Sequence, residues 1–423
     1  MKTSLAPFLN KLKSNVFFQG GVWLTAASFA GNFINYLFSV LTGRALGPEG
    51  YGEISAMFSY TVLITFPVGV LGALLIQKIG NSEDSDEYTA SILLWAKKKA
   101  TQWWYLLLLP ILVTPFVPSL TNLSPYASYT LVVVVIVTLI GSLYDGIFQG
   151  KHLFAMFSII SIVAVLIKLM GGVLAFYYEP LLVFPLAAIM ISGIVKVVWS
   201  HIYLTHKIQL TRHTREINKR VRDLLVDRQF WLTLLTSAGI IGLSNIDIIF
   251  VKKMFSAEHA GLYSAWSLFA KIILYLIGPI LSLSYVFFSS RKNKHLHKLV
   301  LSLTISGMMV VSFIMYQIYD DYPQTIIHLI FGSRFDLLIP YLDWAALFGS
   351  AYVLIMFFNN YYLAKGSRVA MILPFAIIIY IASLFVWGKD IYTVMMINVG
   401  FSISVVIVYL VFYLRERLTN LAE

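Results

Sequence analysis

Leu46-Gly-Pro-Glu-Gly-Tyr-Gly-Glu-Ile-Ser55 and Phe255-Ser-Ala-Glu-His-Ala-Gly-Leu-Tyr-Ser264 read as two versions of one turn. Glu49, Gly52 and Ser55 recur as Glu258, Gly261 and Ser264, each displaced by the same interval. Both stretches close a tight turn and open a helix. Pro48 suits a first helical position, Ser256 suits an N-cap, and each Glu meets the positive end of a helix dipole. Two further correspondences keep the register: Gly150-Lys151-His152 parallels Gly366-Ser367-Arg368, and Pro67-Val68-Gly69 parallels Gly278-Pro279 as a mid-helix breaker. Together they predict a chain made of two similar halves.

Outward from these turns the chain is apolar almost everywhere. Hydrophobic residues make up 59% of its 423 residues and charged residues only 12%, with a mean hydropathy of +0.80. A soluble domain carries about a quarter charged residues because water must solvate its surface, so lipid is the solvent here. A span needs about twenty mainly apolar residues. Six are expected at 17–43, 51–78, 91–117, 127–149, 154–177 and 181–206, and six more at 228–252, 261–289, 297–319, 338–364, 369–387 and 391–414. Helix stops are expected at Gly47-Pro48, Pro118 to Pro125, Gly150, Glu179-Pro180, Gly332 and Gly366.

The fold class is therefore an all-α membrane protein, with about twelve transmembrane helices in two pseudo-symmetric six-helix bundles. The expected division is 1–206, a basic cytoplasmic linker at 207–227, and 228–423. Both halves begin on the same side, which makes the repeat parallel, with its axis along the membrane normal. Lys2, Lys11 and Lys13 precede the apolar run from Val16 to Thr42, which is too long for a signal-peptide core and reads as the first membrane helix.

Charge supplies the orientation. Thirty-one Lys and Arg against twenty Asp and Glu give a net charge of +11. In a soluble chain that excess points to nucleic acid; here no nucleic acid is expected. With alternating spans, twenty-three basic residues fall on the side of the N-terminus. Five, namely Arg44, Lys252, Lys253, Arg334 and Lys389, fall on the other. The positive-inside rule then places both termini in the cytoplasm of a multi-pass inner-membrane protein. The linker is expected to be solvated and to attract anionic headgroups.

The turn Gly43-Arg-Ala-Leu-Gly-Pro-Glu-Gly-Tyr-Gly52 resembles the first extracytoplasmic loop of polysaccharide exporters in the multidrug/oligosaccharidyl-lipid/polysaccharide (MOP) superfamily. Asn245-Ile-Asp247 through Lys253, followed by Ala260-Gly-Leu-Tyr-Ser264, resembles the start of that family's second lobe. The duplication extends the resemblance over essentially the whole chain. It implies a V-shaped, MATE-like pair of lobes around a cavity that opens alternately to each side. It also implies a flippase for undecaprenyl-diphosphate-linked oligosaccharide, in O-antigen, exopolysaccharide or capsule synthesis. The expected spans are fewer than peptidoglycan-precursor flippases usually carry, which argues against lipid II. Partners implied are the lipid-linked glycan, the bilayer, a coupling H+ or Na+, and other polysaccharide-assembly membrane proteins.

A charge at mid-bilayer costs about 2.5–3.5 kcal/mol on insertion scales, so each one calls for an explanation. Lys168, Lys196 and Lys271 lie within spans, with Arg44 near the outer mouth. Ammonium groups facing an aqueous cavity would compensate a diphosphate. Set against that reading, Lys196 can snorkel to the interface and Arg44 can sit among headgroups. Asp247 is a candidate for a coupling proton or cation, or for a structural pair with Lys271 one helix on. Asp145 is a candidate gate, closing on a Lys or Arg, or an interfacial charge. Asn359 and Asn360 are candidates for sugar hydroxyls, although helix–helix hydrogen bonds explain them equally well. Trp103, Trp104, Tyr177 and Tyr178 read as bilayer anchors.

The eight histidines show no metal-ligand spacing, cysteine is absent, and no phosphate-binding Gly-x-x-x-x-Gly-Lys-Ser/Thr loop occurs. No catalytic residue, metal or cofactor is expected, and transport is expected to run on a gradient. Two alternatives compete. One is a cation-coupled multidrug exporter of the same fold, which should show an acidic cavity. The other is a membrane glycan polymerase or ligase, which should carry a large outer loop; the longest here, about Asp320 to Leu337, is short.

Overall fold

The computed structural model describes residues 16–82, 84–103, 105, 108–207, 228–289 and 297–422. Every regular element among them is helical. Helix α1 (Val16–Gly80) is one run folded at Gly47, where φ is 68° and ψ −172°. An L side chain is strained at that φ, so glycine is the residue that lets the chain turn before Pro48. On either side of the fold lie the first two expected spans. Pro67 and Gly69 do not interrupt α1, and Gly278 does not interrupt α9 (Ala257–Ser289). The mid-helix breaks read from these residues are absent because neighbouring helices can accommodate a missing hydrogen bond within a membrane.

The expected third span, 91–117, is not a single helix. Helix α2 (Ser85–Gln102) carries Lys97, Lys98 and Lys99, and the chain resumes as α3 (Leu108–Val113), a 3-10 turn (Thr114–Phe116) and α4 (Val117–Thr121). Pro110, Pro115 and Pro118 each remove a backbone donor and crowd the carbonyl four residues back. The other spans follow expectation to within a few residues: α5 (Pro125–Gly150), α6 (Phe154–Tyr177), α7 (Val183–Lys207), α8 (Arg228–Met254), α9 and α10 (His297–Asp321). After them come α11 (Pro323–Ile330), a 3-10 stretch (Ser333–Tyr341), α12 (Leu342–Ala364), α13 (Ile372–Trp387) and α14 (Ile391–Ala422). Among the described residues ten helices are long and apolar enough to cross a membrane, the first of them contributing two spans.

Caps end the helices where the sequence placed stops. Ser256 Oγ accepts from the His259 N–H at 3.3 Å, a side-chain N-cap for α9. Gly366, at φ 65°, terminates α12 in the left-handed conformation. The short loop expected between Asp320 and Leu337 is instead largely helical, as α11 and the 3-10 stretch.

The chain divides into two compact units. Unit 1 comprises Met1–Leu41 and Ile64–Trp231, and unit 2 comprises Thr42–Leu63 and Leu232–Glu423. The division does not follow the linear halves: residues 42–63, early in the sequence, are built into unit 2. Most of the 207–227 linker lies outside the described residues.

In unit 1, α6 packs along α7 and α7 along α5. Unit 2 centres on α9, which packs along α12, with Tyr263, Trp266 and Phe269 fully buried. Trp266 stacks on Phe348 at 5.5 Å between ring centroids, and its indole N–H donates to the Tyr341 carbonyl at 2.9 Å. Four features seat segment 42–63 in unit 2. Tyr51 lies 5.2 Å from the Phe331 ring. Glu53 accepts from Lys252 at 2.5 Å. Arg44 reaches the end of α11, and Gly52 meets Gly261.

Candidate functional site

Unit 1 contains a cavity of about 180 Å³ between α1 and α6, with a mostly apolar surface and with Ser28, Asn32 and Asn35 on one helix and Ser158 and Ser161 on the other among its lining residues. Residues 28, 32 and 35 recur at helical spacing, so their side chains share one face of α1. Phe157 and Val165 supply apolar wall. Lys168 sits one turn beyond Val165 on α6, half-buried. Its ammonium donates to Asn35 Oδ1 at 2.6 Å and lies 4.6 Å over the Phe38 ring. Asn35 in turn donates from Nδ2 to the Gly31 carbonyl at 2.9 Å. Lys168 is thus tied to Asn35, a residue of the cavity lining.

Lys196 and Asp145 form an ion pair at 2.7 Å between α7 and α5, each side chain about a quarter exposed. The same ammonium lies 5.8 Å from the Phe157 ring, on the cavity wall. Beside the pair, Tyr144 and His201 share a hydrogen bond of 2.8 Å. The structure thus brings together two charges that the sequence reading treated separately.

Unit 2 holds a different kind of cluster. Asp247 on α8 is fully buried, and its Oδ2 accepts from the Tyr263 hydroxyl at 2.6 Å and from Asn398 Nδ2 at 3.3 Å. Asn398 also donates to the Tyr263 oxygen, and the Tyr380 hydroxyl donates to Asn398 Oδ1. Asp247 Oδ1 is buried without a hydrogen-bond partner. Lys271 interacts with Asp247 electrostatically, but among the described residues no ion pair within bonding distance joins them. The expected direct pair is replaced by a neutral network from α9, α13 and α14. The chain thereby satisfies one carboxylate oxygen with uncharged donors and leaves the other open.

Arg44 is committed elsewhere. Its guanidinium donates from Nε to Ile330 O at 3.0 Å, and from Nη2 to His328 O at 2.8 Å and Leu329 O at 2.5 Å. These are the last carbonyls of α11, which have no partner within their own helix, and a cation there also suits the helix dipole. Arg44 is thus a helix cap in unit 2. Asn359, 1% exposed, accepts from the Tyr409 hydroxyl at 3.4 Å, a bond between α12 and α14, and Asn360 beside it is half-buried.

Sequence reasoning passed over Asn35, Ser158 and Ser161 in unit 1, and Tyr263, Tyr380 and Asn398 in unit 2. The spacing of Ser28, Asn32 and Asn35 was a usable signal, since a polar stripe on a membrane helix faces protein or water rather than lipid. Nothing local marks Asn398, whose importance comes from meeting Asp247 across the fold.

A search of curated proteins finds no match. Solved structures do match. An inward-facing multidrug resistance MATE family transporter of the MOP superfamily aligns with a TM-score of 0.69 at 12% identity, over 93% of this chain and 95% of that one. The lipid II flippase MurJ in an inward closed conformation aligns with a TM-score of 0.66 at 15% identity, over 93% and 87%. A MOP superfamily transporter from Pyrococcus furiosus, described as having a binding pocket of reversed polarity, aligns at 0.61 and 13%, over 97% and 98%. Identities this low establish the shared fold and nothing finer. The family model of polysaccharide biosynthesis proteins matches residues 17–290. With that match covering more than half its length, the chain belongs to the polysaccharide biosynthesis protein family and carries it on the fold of the MOP transporters.

Proposed function

We propose that the protein is a flippase carrying undecaprenyl-diphosphate-linked oligosaccharide from the cytoplasmic to the periplasmic leaflet of the inner membrane. The observation that carries this reading is the polysaccharide biosynthesis match over residues 17–290. A fold shared with a lipid II flippase supports it. Chemistry adds a reason. A diphosphate and a sugar cannot cross hydrocarbon bare, and a spanning helix carries a lysine only where it can be solvated or paired. Lys168 and Lys271 are the ammonium groups proposed to compensate the diphosphate. Lys196 is held by Asp145, and Arg44 is spent on α11, so neither serves that role.

Both termini and the basic helix ends are proposed to face the cytoplasm, from the charge asymmetry. Asp247, with one carboxylate oxygen open, is proposed as the site where a proton or Na+ couples to transport. The same feature is what a cation-coupled exporter of this fold would need, and that is the second reading.

Reconstitution in liposomes tests both. Wild type is expected to translocate an undecaprenyl-diphosphate oligosaccharide, and Lys168→Ala and Lys271→Ala to lose transport while remaining folded. Failure of wild type across several glycans, with export of cationic drugs instead, would overturn the flippase in favour of the exporter. Full activity in both variants would leave the flippase standing and remove these lysines from the site.

A further inference from the structure

We propose that Asn35 is a positioning residue: its side-chain oxygen holds the Lys168 ammonium in place for a phosphate, and its being an amide rather than a carboxylate lets the site take an anion. The inference deepens the flippase reading and rests on it for the role of Lys168.

The anchor is built from two helices. Asn35 donates from Nδ2 to the Gly31 carbonyl, one turn back on α1, at 2.9 Å. With the nitrogen so engaged, the amide presents its oxygen to α6, and Lys168 Nζ donates to it at 2.6 Å. A flipped amide would set N–H groups against an ammonium that can only donate. The Phe38 ring, 1% exposed, lies 4.6 Å from the same ammonium. A Cβ on Gly172, one turn along α6 from Lys168, would lie 3.2 Å from that ring, so the ring packs close against the helix that carries the lysine. Amide and ring thus have fixed places, while Lys168 remains half-buried rather than enclosed.

The choice of an amide carries the chemistry. Elsewhere the chain fastens lysines with carboxylates: Lys196 to Asp145 at 2.7 Å, Lys252 to Glu53 at 2.5 Å, and Lys151 to Asp86. A carboxylate bond to an ammonium is charge-assisted from both sides, and it cancels the charge that it holds. An incoming phosphate would have to displace that competitor. Asparagine has nearly the shape of aspartate and the same reach, with no charge of its own. It orders the ammonium, and the ring face adds an attraction that is likewise uncharged. Neither group competes with a diphosphate for the positive charge.

Full-length purified protein in detergent would be dialysed to equilibrium against radiolabelled inorganic pyrophosphate, as wild type, Lys168→Ala, Asn35→Ala and Asn35→Asp, with melting followed in parallel. The binding lost in Lys168→Ala is the component that belongs to this site. Asn35→Ala is expected to raise the half-saturating concentration of that component about tenfold, equivalent to about 1.4 kcal/mol. Asn35→Asp is expected to abolish it while melting no lower than wild type, because a carboxylate binds the ammonium more tightly than an amide does. A merely structural Asn35 would give a different pattern. Binding would fall only where melting falls, and Asn35→Asp would bind as wild type does.

That pattern would overturn the proposal, as would unchanged binding in both Asn35 variants beside a loss in Lys168→Ala; either leaves Lys168 in its role. Binding by wild type no greater than by Lys168→Ala would overturn the anion site and its anchor together. If one Asn35 variant fails to fold, the other decides alone. Liposome translocation separates this inference from the one beneath it. The expected binding pattern without translocation of an undecaprenyl-diphosphate oligosaccharide keeps the anchor and removes the flippase.

Discussion

Gly52 and Gly261, equivalent positions in the two copies of the repeated turn, meet backbone to backbone. A Cβ on Gly52 would lie 2.8 Å from the Gly261 nitrogen, and one on Gly261 would run into the Pro48 carbonyl. The repeat is thus more than a record of duplication. Its two copies pack on one another within unit 2, and the approach is so close that only hydrogen fits on either side.

Gly261→Ala is expected to destabilise the protein by about 1–3 kcal/mol, because the obstructing atoms are backbone and cannot rotate away. Gly307→Ala is the matched control. It lies inside α10 with open space around its Cβ position, and helix propensity favours it by about 0.5–1 kcal/mol. Thermal unfolding in detergent, followed by size-exclusion chromatography, should separate the two. Equal behaviour would mean that the close approach relaxes at no cost.

The pair between Glu53 and Lys252 is the second fastening of segment 42–63. Their side chains are 13% and 3% exposed. Removing one partner from a buried pair strands the other charge, at a cost of about 3–5 kcal/mol. Glu53→Gln and Lys252→Met should each lower thermal stability strongly. The double change Glu53→Met with Lys252→Met should recover much of the loss, because it leaves no charge stranded. A double variant no better than the singles would show that the charges matter through other neighbours.

Asp247→Asn should fold, since an amide oxygen can still accept from Tyr263, yet lose any response of transport to an imposed proton or Na+ gradient. Asp247→Ala should in addition lose about 1–3 kcal/mol, because the Tyr263 and Asn398 donors are left unpaired. Uptake into vesicles with and without each gradient reads the first effect, and melting reads the second. Wild-type transport indifferent to both gradients would remove the coupling role from Asp247.

At the start of α14, the Thr393 N–H donates to Asp390 Oδ1 at 2.7 Å and the Thr393 hydroxyl to the same atom at 2.9 Å. The backbone bond to Thr393 foremost holds the Asp390 carboxyl below its usual value of 3.8, against a smaller opposing effect of burial. A depressed folded value means that the carboxylate's contribution is present above the ordinary pKa and lost as pH falls through the lower, folded one. Solvent screening keeps it small, because Asp390 is exposed. Amide protection in the first turn of α14, taken relative to the intrinsic exchange rate, should fall in wild type as pH drops below the ordinary value of 3.8. Asp390→Ala should flatten that profile and cost about 1 kcal/mol at neutral pH.

Much of the fold was legible because lipid imposes its demands locally. Each span announces itself as an apolar run, and each stop as a Gly, Pro or capping residue within a few positions of where the helix ends. Where the reading slipped, the cause was local chemistry given too little weight: two prolines and three lysines in the expected third span, and breakers at Pro67 and Gly278 given too much. The candidate site was less legible. Lys168 stood out by its charge, but its partner Asn35 lies on another helix far back in the chain. Asp145 was expected to close on a Lys or Arg, but nothing in the sequence named Lys196 as that base.

By itself the sequence determined that the chain lives in a membrane, that it is helical, and that its turns are duplicated. Composition, period and capping depend on neighbours in sequence, and every residue carries that information with it. Only the tertiary structure decided that residues 42–63 build into the second unit and that Arg44 caps α11. It also decided that Asp247 bonds to Tyr263 and Asn398 rather than to Lys271, and that Lys168 donates to Asn35. Each of these is a choice among partners of similar chemistry, and only the packing of distant helices brings one of them within bonding reach.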